Sequence, residues 1–240
     1  MDELNIVNGL HTATERDYLD RVNSVDKAWA AEKALNWGYD YWDGSRQTGY
    51  GGYKYDGRWR TVADQLIKKY KLKSGTKILD VGCGKGFLLH DLKSRNPEIE
   101  VAGIDVSAYA LENAMESVKD NCHIGCASKL PFSDNEFDLV ISGQAMEHCE
   151  FFWIVFQEIY RVLKPNGYTC IIAPSSGPEH RYPVDCWRFY PDGMRAICKF
   201  VGLEVVSVKT EWDPPKYTDG SEEWRDTTLI AKKTVKKTPK

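Results

Sequence analysis

Short apolar runs alternate with amphipathic segments along most of the chain from Lys77 onward. The apolar runs predict strands, of which the run at 122–125 is the weakest. The amphipathic segments predict helices, because their apolar residues recur at helical spacing. The predicted strands are 77–81, 100–105, 122–125, 137–142, 168–173, 203–210 and 228–232, and the predicted helices between them are 86–95, 107–119, 151–163 and 191–201.

The chain before this pattern is different in character. Helix-forming residues fill 15–37, and a second helix with one apolar face is predicted at 59–70. Between them, 38–59 is dense in Gly, Tyr and Trp and is expected to be irregular. We call this segment the aromatic arm.

Strand–helix alternation of this kind predicts an α/β fold, a Rossmann-like, doubly wound and mostly parallel seven-stranded sheet. The aromatic arm and the helix before it lie outside that pattern. The expected organisation is therefore an N-terminal helix and arm over 1–59, the core domain over 60–232, and a basic, flexible tail over 233–240.

Composition restricts the class of protein. The chain has 240 residues, 42% of them hydrophobic and 28% charged, with a net charge of -3, as expected for a globular protein without a nucleic-acid partner. Its apolar runs are too short to span a membrane, and its N-terminus lacks the apolar stretch of a secretory signal. The seven cysteines form no C-x-x-C pair. A cytoplasmic protein with reduced thiols and no metal site is expected.

The first candidate site is the stretch KILDVGCGKGFLL at 77–89. A phosphate-binding loop is excluded, because Gly82, Gly84 and Gly86 are too closely spaced and Lys85 is followed by glycine. The dinucleotide fingerprint is incomplete, because Phe87 stands where its third glycine would be.

Two acidic residues narrow the choice of ligand. Asp80 ends the first predicted strand, where a carboxylate would repel a pyrophosphate and suit an amino group. Asp105 ends the second, where a carboxylate can accept hydrogen bonds from ribose hydroxyls. The predicted ligand is a nucleoside that carries an amino acid and no pyrophosphate.

Together these motifs make the chain resemble the class I S-adenosylmethionine-dependent methyltransferases. ILDVGCGKG is similar to their first motif, GIDVS to the second, IGCASKLPFSDNEFDLVIS to the third and fourth, and EIYRVLKPNGY to the segment before strand five. The resemblance covers roughly 75–210. It implies S-adenosylmethionine as the cofactor and S-adenosylhomocysteine as the product. The expected cofactor-binding residues are Asp80, Gly82, Gly84, Gly86, Asp105, Val106, Cys126, Ala127 and Ser142.

The chain departs from the family at Cys126, where an Asp often binds the adenine amino group. Backbone groups of Cys126 and Ala127 are then expected to bind adenine, with apolar packing from Val106 or Leu130. The alternative is that Cys126 is a small buried filler.

The acceptor is expected at the carboxyl ends of the strands, where ligands of open parallel sheets bind. His148 follows the fourth predicted strand and His180 the fifth, and each is a candidate general base, although neither needs a chemical role. Arg181 and Arg188 could hold an anionic acceptor, or could instead form salt bridges with Asp185 and Glu179.

Aromatic residues of the arm could close over the cofactor or stack on a sugar ring, or could simply pack the arm onto the domain. The residues concerned are Tyr41, Trp42, Tyr50, Tyr53 and Tyr55. The predicted substrate-binding set is Tyr50, Tyr53, Arg181, Tyr182, Asp185 and Arg188.

The predicted function is O-methylation of a small sugar, phosphorylated or nucleotide-linked acceptor, since 174–193 resembles methyltransferases of bacterial cell-surface polysaccharide and natural-product sugar clusters. N-methylation of a small amine and cofactor binding without catalysis remain alternatives. A DNA amino-methyltransferase is not expected, because SGQA stands where those enzymes carry D/N-P-P-Y. The oligomeric state is left open, with a homodimer as one option.

Overall fold

The structure is a computed structural model that describes residues 23–210, 212 and 224–235. Its centre is one seven-stranded sheet with the order β3-β2-β1-β4-β5-β7-β6. The first five strands run parallel, and β7 is antiparallel to both β5 and β6. The mostly parallel sheet is confirmed. The strands are β1 Lys77–Val81, β2 Glu100–Asp105, β3 Cys122–Ile124, β4 Phe137–Gly143, β5 Leu163–Pro174, β6 Glu204–Thr210 and β7 Asp226–Lys232.

Helices cover both faces of the sheet, because strand residues alternate between two apolar cores. Ile78 of β1 packs with one core and Leu79 with the other. The first core includes α3 and α4, and the second includes α6 and α7. The helices are α1 Lys27–Ala34, α2 Tyr39–Trp42, α3 Trp59–Tyr70, α4 Phe87–Arg95, α5 Ala108–Glu112, α6 Phe152–Val162 and α7 Pro191–Val201.

The helix predicted at 107–119 is much shorter than expected. It begins after Ser107, whose side chain accepts from the Ala110 N–H, and α5 ends at Glu112. Shortly afterwards the Met115 N–H donates to the carbonyl of Lys85 in the glycine loop, at 3.0 Å. A contact with a distant loop therefore replaces a helical hydrogen bond that the local sequence would allow.

Strand β5 begins five residues before the predicted start. Leu163 pairs with Phe137, and regular pairing resumes at Tyr168 opposite Leu139, so the segment KPNG forms a bulge. Asn166 within it has φ 69°, a left-handed conformation that asparagine tolerates. Helix α6 ends directly before this bulge, at Val162.

Part of the N-terminal helix predicted at 15–37 lies outside the described residues. In the described part, α1 begins after Asp26, whose carboxylate accepts from the Trp29 N–H at 2.8 Å. The tail residues 236–240 are also outside the described part. Within the described ranges, no helix is both long and apolar enough to cross a bilayer.

Candidate active site

A cavity of about 710 Å³ opens at the carboxyl ends of the parallel strands. This volume lies in the range of about 300–1,000 Å³ that is usual for small-molecule sites. Its wall combines the glycine loop after β1, the end of β2, the loops after β4 and β5, and the aromatic arm. The position agrees with the rule that open α/β sheets bind ligands at this edge.

The glycine loop follows β1 directly and lines the cavity through Gly82 and Gly84. Both have positive φ, 82° and 54°. A Cβ at Gly84 would lie 2.8 Å from the Trp42 ring, and one at Gly82 would lie 2.7 Å from Ala145. Glycine is thus required both by the backbone conformation and by the close approach of neighbouring segments.

Asp105 is held by the backbone of the same loop. Its carboxylate accepts from the Gly84 N–H at 2.8 Å and from the Ser107 N–H at 2.9 Å. Burial raises the pKa of Asp105, and these backbone hydrogen bonds partly oppose that shift. A carboxylate has about four acceptor positions, so two remain for a ligand in the cavity.

Asp80 also lines the cavity and is 6% exposed. Burial raises its pKa to about 7, with a further contribution from the charge of Asp105. Two carboxylates in one cavity create a site that favours a cationic ligand group.

The segments that follow β2 and β3 form one edge of the cavity, which we call the rim. Its residues are Val106, Gly125, Cys126, Ala127 and Ser128. Cys126 is exposed, so it is not a buried filler. Val106 is exposed as well, whereas Leu130 is 4% exposed and belongs to the core. Of the two candidates for apolar packing, only Val106 faces the cavity.

Two predicted cofactor-binding residues do not line the cavity. Ser142 is fully buried, and its hydroxyl donates to the Val81 carbonyl at 2.8 Å, which ties β4 to β1. Gly86 precedes α4, and a Cβ there would meet Val118 at 3.0 Å. Both residues therefore support the scaffold and lie outside the cavity lining, where cofactor contacts were expected of them.

The aromatic arm contributes a continuous stack to the cavity wall. Trp42 and Tyr50 are stacked with ring centroids 5.3 Å apart, and Tyr53 is stacked on Phe87 at 4.7 Å. The indole N–H of Trp42 donates to the Ser107 hydroxyl at 2.8 Å. Tyr41 lines the cavity too. Tyr55 is absent from the lining, and its hydroxyl donates to Asp91.

An ion pair that was not predicted from the sequence joins the aromatic arm to the glycine loop. The ammonium group of Lys85 lies 2.6 and 2.8 Å from the two carboxylate oxygens of Asp43, and also donates to the Tyr53 carbonyl. Burial alone would raise the pKa of Asp43, but hydrogen bonds from Lys85 and Tyr109 outweigh it and lower the pKa. Sequence contains only a weak signal of this pair, a lysine inside an otherwise apolar loop.

His148 and His180 are brought together on another part of the wall, with ring centroids 5.3 Å apart. His148 Nδ1 lies 2.5 Å from the Val184 carbonyl, and His180 Nδ1 lies 3.1 Å from Asp185 Oδ2. Burial lowers the pKa of His148, which favours its neutral form.

Glu147 lies beside these imidazoles and was not among the predicted site residues. Its side chain is 1% exposed and lines the cavity, and its Oε1 lies 3.6 Å from His148 Nε2. Burial raises the pKa of Glu147 to about 7. Its position next to His148 in the sequence was the available signal.

The two predicted arginines, Arg181 and Arg188, do not line the cavity. Arg188 binds both carboxylate oxygens of Asp185, at 2.5 and 2.7 Å, and the side chain of Asp185 is 1% exposed. Burial alone would raise the pKa of Asp185, but hydrogen bonds from Arg188 and His180 outweigh it. Arg181 is exposed, with its guanidinium 3.6 Å from Glu179.

The salt bridges named as the alternative to an anion clamp by Arg181 and Arg188 are therefore the observed ones. Asp185, also predicted to bind substrate, lies outside the cavity lining together with both arginines. Of the four predicted substrate-binding residues of this loop, Tyr182 is the one that lines the cavity. It is 7% exposed and packs against Ala30 and Ala34 of α1.

Comparisons with known proteins agree with this architecture. Residues 79–171 match the family model of the methyltransferase domain. The demethylmenaquinone methyltransferase of Staphylococcus saprophyticus is 34% identical over 159 residues, covering 64% of this chain and 66% of that protein. The chain spans about half the length of the curated relatives it matches.

Two solved structures are similar to this chain in fold. A SAM-dependent methyltransferase from Aquifex aeolicus is similar with a TM-score of 0.54 and 22% identity, covering 72% of this chain and 89% of its own. A [4+2]-cyclase is similar with a TM-score of 0.63 and 18% identity, covering 92% and 98%. At these identities the likeness concerns the fold alone.

Proposed function

Because residues 79–171 match the family model of the methyltransferase domain, we propose that the chain binds S-adenosylmethionine and transfers its sulfonium methyl group to a hydroxyl of a small-molecule acceptor. The observation that carries the proposal is one cavity that holds two strand-end carboxylates, Asp80 and Asp105, together with the His148–His180 pair. The carboxylates suit the cofactor, and the imidazoles suit a hydroxyl acceptor.

The cofactor is bound between the glycine loop and the rim. Asp105 accepts hydrogen bonds from the ribose hydroxyls, and Asp80 pairs with the amino group of the methionine part. Gly82 and Gly84 allow the backbone to approach the ligand closely, and Val106 packs on adenine beside the backbone of 126–127. These roles follow the family resemblance and are supported by the placement of all these residues in the lining.

The aromatic arm covers the bound cofactor in this proposal. Its stacked rings form part of the wall, and the Lys85–Asp43 pair fastens it to the glycine loop. Because Lys85 is 5% exposed, this pair is shielded from the solvent that weakens surface ion pairs. A covered site excludes water from the methyl group.

The acceptor in this proposal is a ring compound that carries a reactive hydroxyl group. A sugar fits this description best. Tyr50, Tyr53 and Tyr182 line the cavity and offer flat apolar surfaces to such a ring. Arg58 also lines it, and its guanidinium is paired with Asp56. Since Arg181 and Arg188 lie elsewhere, they no longer support a phosphorylated or nucleotide-linked acceptor.

His180 removes the acceptor proton as methyl transfer proceeds. Asp185 Oδ2 lies 3.1 Å from Nδ1 and favours the tautomer with its proton there, which leaves Nε2 as the basic nitrogen. Arg188 Nη2 lies 3.5 Å from the same Nδ1. The cofactor sulfur becomes neutral on transfer, so the protein's main task is to align the acceptor and take its proton.

The proposal is tested by supplying labelled S-adenosylmethionine with neutral sugars, nucleotide sugars and small amines, and identifying products by mass spectrometry and NMR. An O-methyl product supports the proposal. An N-methyl product would establish the amine alternative. Tight cofactor binding without transfer to any acceptor would favour a cofactor-binding protein with another role, since a [4+2]-cyclase has the same fold.

The raised pKa of Asp80 predicts a pH-dependent affinity for the cofactor. The binding form is the carboxylate, and a pKa of about 7 means that much of it is protonated in the free protein below neutral pH. Affinity should therefore fall as pH decreases from about 8 to about 6, by at most about tenfold per unit below the pKa. Calorimetric titrations with S-adenosylmethionine at several pH values in this range measure the affinity.

Asp80→Asn should bind more weakly at about pH 8 and should lose this part of the pH dependence. The difference between the two profiles isolates Asp80 from other groups that titrate in the range. Asp120→Asn, an exposed carboxylate, is the matched control. Identical profiles for the native protein and Asp80→Asn would contradict the assigned contact.

A further inference from the structure

We propose that Glu147, His148 and His180 bind one divalent transition-metal ion, with Zn²⁺ the best match, on the acceptor side of the cavity. One ligand atom from each residue lies within 4.8 Å of the other two. Atoms bound to one ion at about 2.1 Å are at most about 4.2 Å apart, so small side-chain rotations would bring the three around a metal. The absence of a C-x-x-C pair does not bear on this cluster, because it contains no cysteine.

The imidazoles are oriented as metal ligands are. His148 Nδ1 faces the Val184 carbonyl and His180 Nδ1 faces the Asp185 carboxylate. Metal-binding histidines usually donate their second N–H to a carbonyl or carboxylate in this way, which fixes the tautomer and the ring orientation. The Nε2 atoms then carry the lone pairs for a metal.

Glu147 provides an independent observation at the same place in the cavity. Its side chain is 1% exposed, and its Oε2 has no hydrogen-bond partner among them. A buried carboxylate oxygen without a partner is costly and rare, and an ion beside it would satisfy it.

The donor set selects the class of ion. Mg²⁺ and Ca²⁺ prefer oxygen ligands alone, whereas two imidazoles and one carboxylate suit Zn²⁺ and its neighbours in the first transition row. Catalytic zinc sites commonly have three protein ligands and one open position. Since all three residues line the cavity, the open position is available to a ligand there.

This inference rests on the proposed function and gives it a different mechanism of acceptor activation. The acceptor hydroxyl would bind the ion, which lowers its pKa as it does for bound water. The O–H bond breaks and the proton passes to solvent. The oxygen then forms the O–CH₃ bond while the S–CH₃ electron pair stays on sulfur. His148 and His180 are ligands in this mechanism, and no proton acceptor is needed among them.

The test uses the full chain after treatment with a chelator. Zn²⁺ titrated by calorimetry should bind at one ion per chain, and Co²⁺ should give the visible absorption of a low-symmetry site. His148→Ala and His180→Ala should each weaken binding by about 100-fold or more, since even supporting residues contribute about 10- to 100-fold. His123→Ala is the matched control, because His123 is exposed and lies outside the cavity.

Asp185→Asn tests the residue that positions His180. It should weaken Zn²⁺ binding by about 10- to 100-fold without removing a ligand. Absence of stoichiometric Zn²⁺ binding, or native affinity in His148→Ala, would overturn the inference. So would a strong near-ultraviolet charge-transfer band with Co²⁺, since this would identify cysteine ligands.

S-adenosylmethionine affinity measured on the same samples separates this inference from the proposed function. Native cofactor affinity in His148→Ala and His180→Ala shows that the variants are folded. Loss of the metal with retained cofactor binding and transfer would overturn the metal mechanism and leave the methyltransferase. Failure of the native protein to bind the cofactor would overturn the proposed function itself.

Discussion

His180→Ala is expected to lower turnover by about 100-fold or more, while affinity for S-adenosylmethionine stays close to native. A hydroxyl is a poor nucleophile until its proton begins to leave, and His180 is the imidazole whose Nδ1 is held by a carboxylate, at 3.1 Å. Its side chain lines the acceptor part of the cavity, and the cofactor contacts are assigned to other residues. Steady-state kinetics and calorimetry on one preparation measure both quantities.

His123→Ala serves as the control, because it removes an exposed imidazole outside the cavity. A His180→Ala enzyme with normal turnover would leave His148, or alignment without any base, as the explanation of catalysis. Chelation then separates the two roles of His180. If it is a general base, a chelator leaves native turnover unchanged, and if it is a metal ligand, a chelator lowers turnover as the substitution does.

Asp105→Ala is expected to weaken S-adenosylmethionine binding by roughly 1–3 kcal/mol, or about 5- to 150-fold. The substitution removes the charged acceptor assigned to the ribose hydroxyls. It also leaves the Gly84 and Ser107 N–H groups without their partner, so the glycine loop itself is less well held. Calorimetry with S-adenosylmethionine and with S-adenosylhomocysteine measures the loss.

Asp105→Asn separates these two effects, because an amide oxygen can still accept one of the backbone hydrogen bonds. Its affinity should lie between those of the native protein and Asp105→Ala. Asp120→Ala, at an exposed position, should bind as the native protein does. Unchanged affinity in a folded Asp105→Ala variant would remove Asp105 from the cofactor site.

The sheet, and the side of the cavity lined by the glycine loop and Asp105, could be predicted from the sequence alone. The strands can be located from apolar runs, because strands of a parallel sheet are buried on both faces. This local pattern does not depend on which helices pack against the sheet. Asp80, Gly82, Gly84 and Asp105 each stand at or just after a strand end. Since the carboxyl ends of parallel strands meet at one edge, their convergence could be predicted without coordinates.

The directions in which individual side chains point could not be predicted in this way, because they depend on contacts between elements that are distant in the sequence. Ser142 lies at the expected strand end, but its hydroxyl turns to the Val81 carbonyl of the neighbouring strand. Alternation along a strand places successive side chains on opposite faces, and one position of error changes the face. The early end of α5 has a similar origin, a hydrogen bond between Met115 and Lys85.

The acceptor half of the cavity depended most on tertiary contacts. Its loops have no periodic pattern, so their conformation is set by what each polar group finds nearby. Asp185 lies between Arg188 and His180 and draws the arginine away from the cavity. Glu147 lies beside His180, which comes 33 positions later in the chain. Asp43 likewise pairs with Lys85, which is 42 positions away. Spacing in a sequence cannot specify such pairs, because they form only when separate loops are carried to the same edge of the folded sheet.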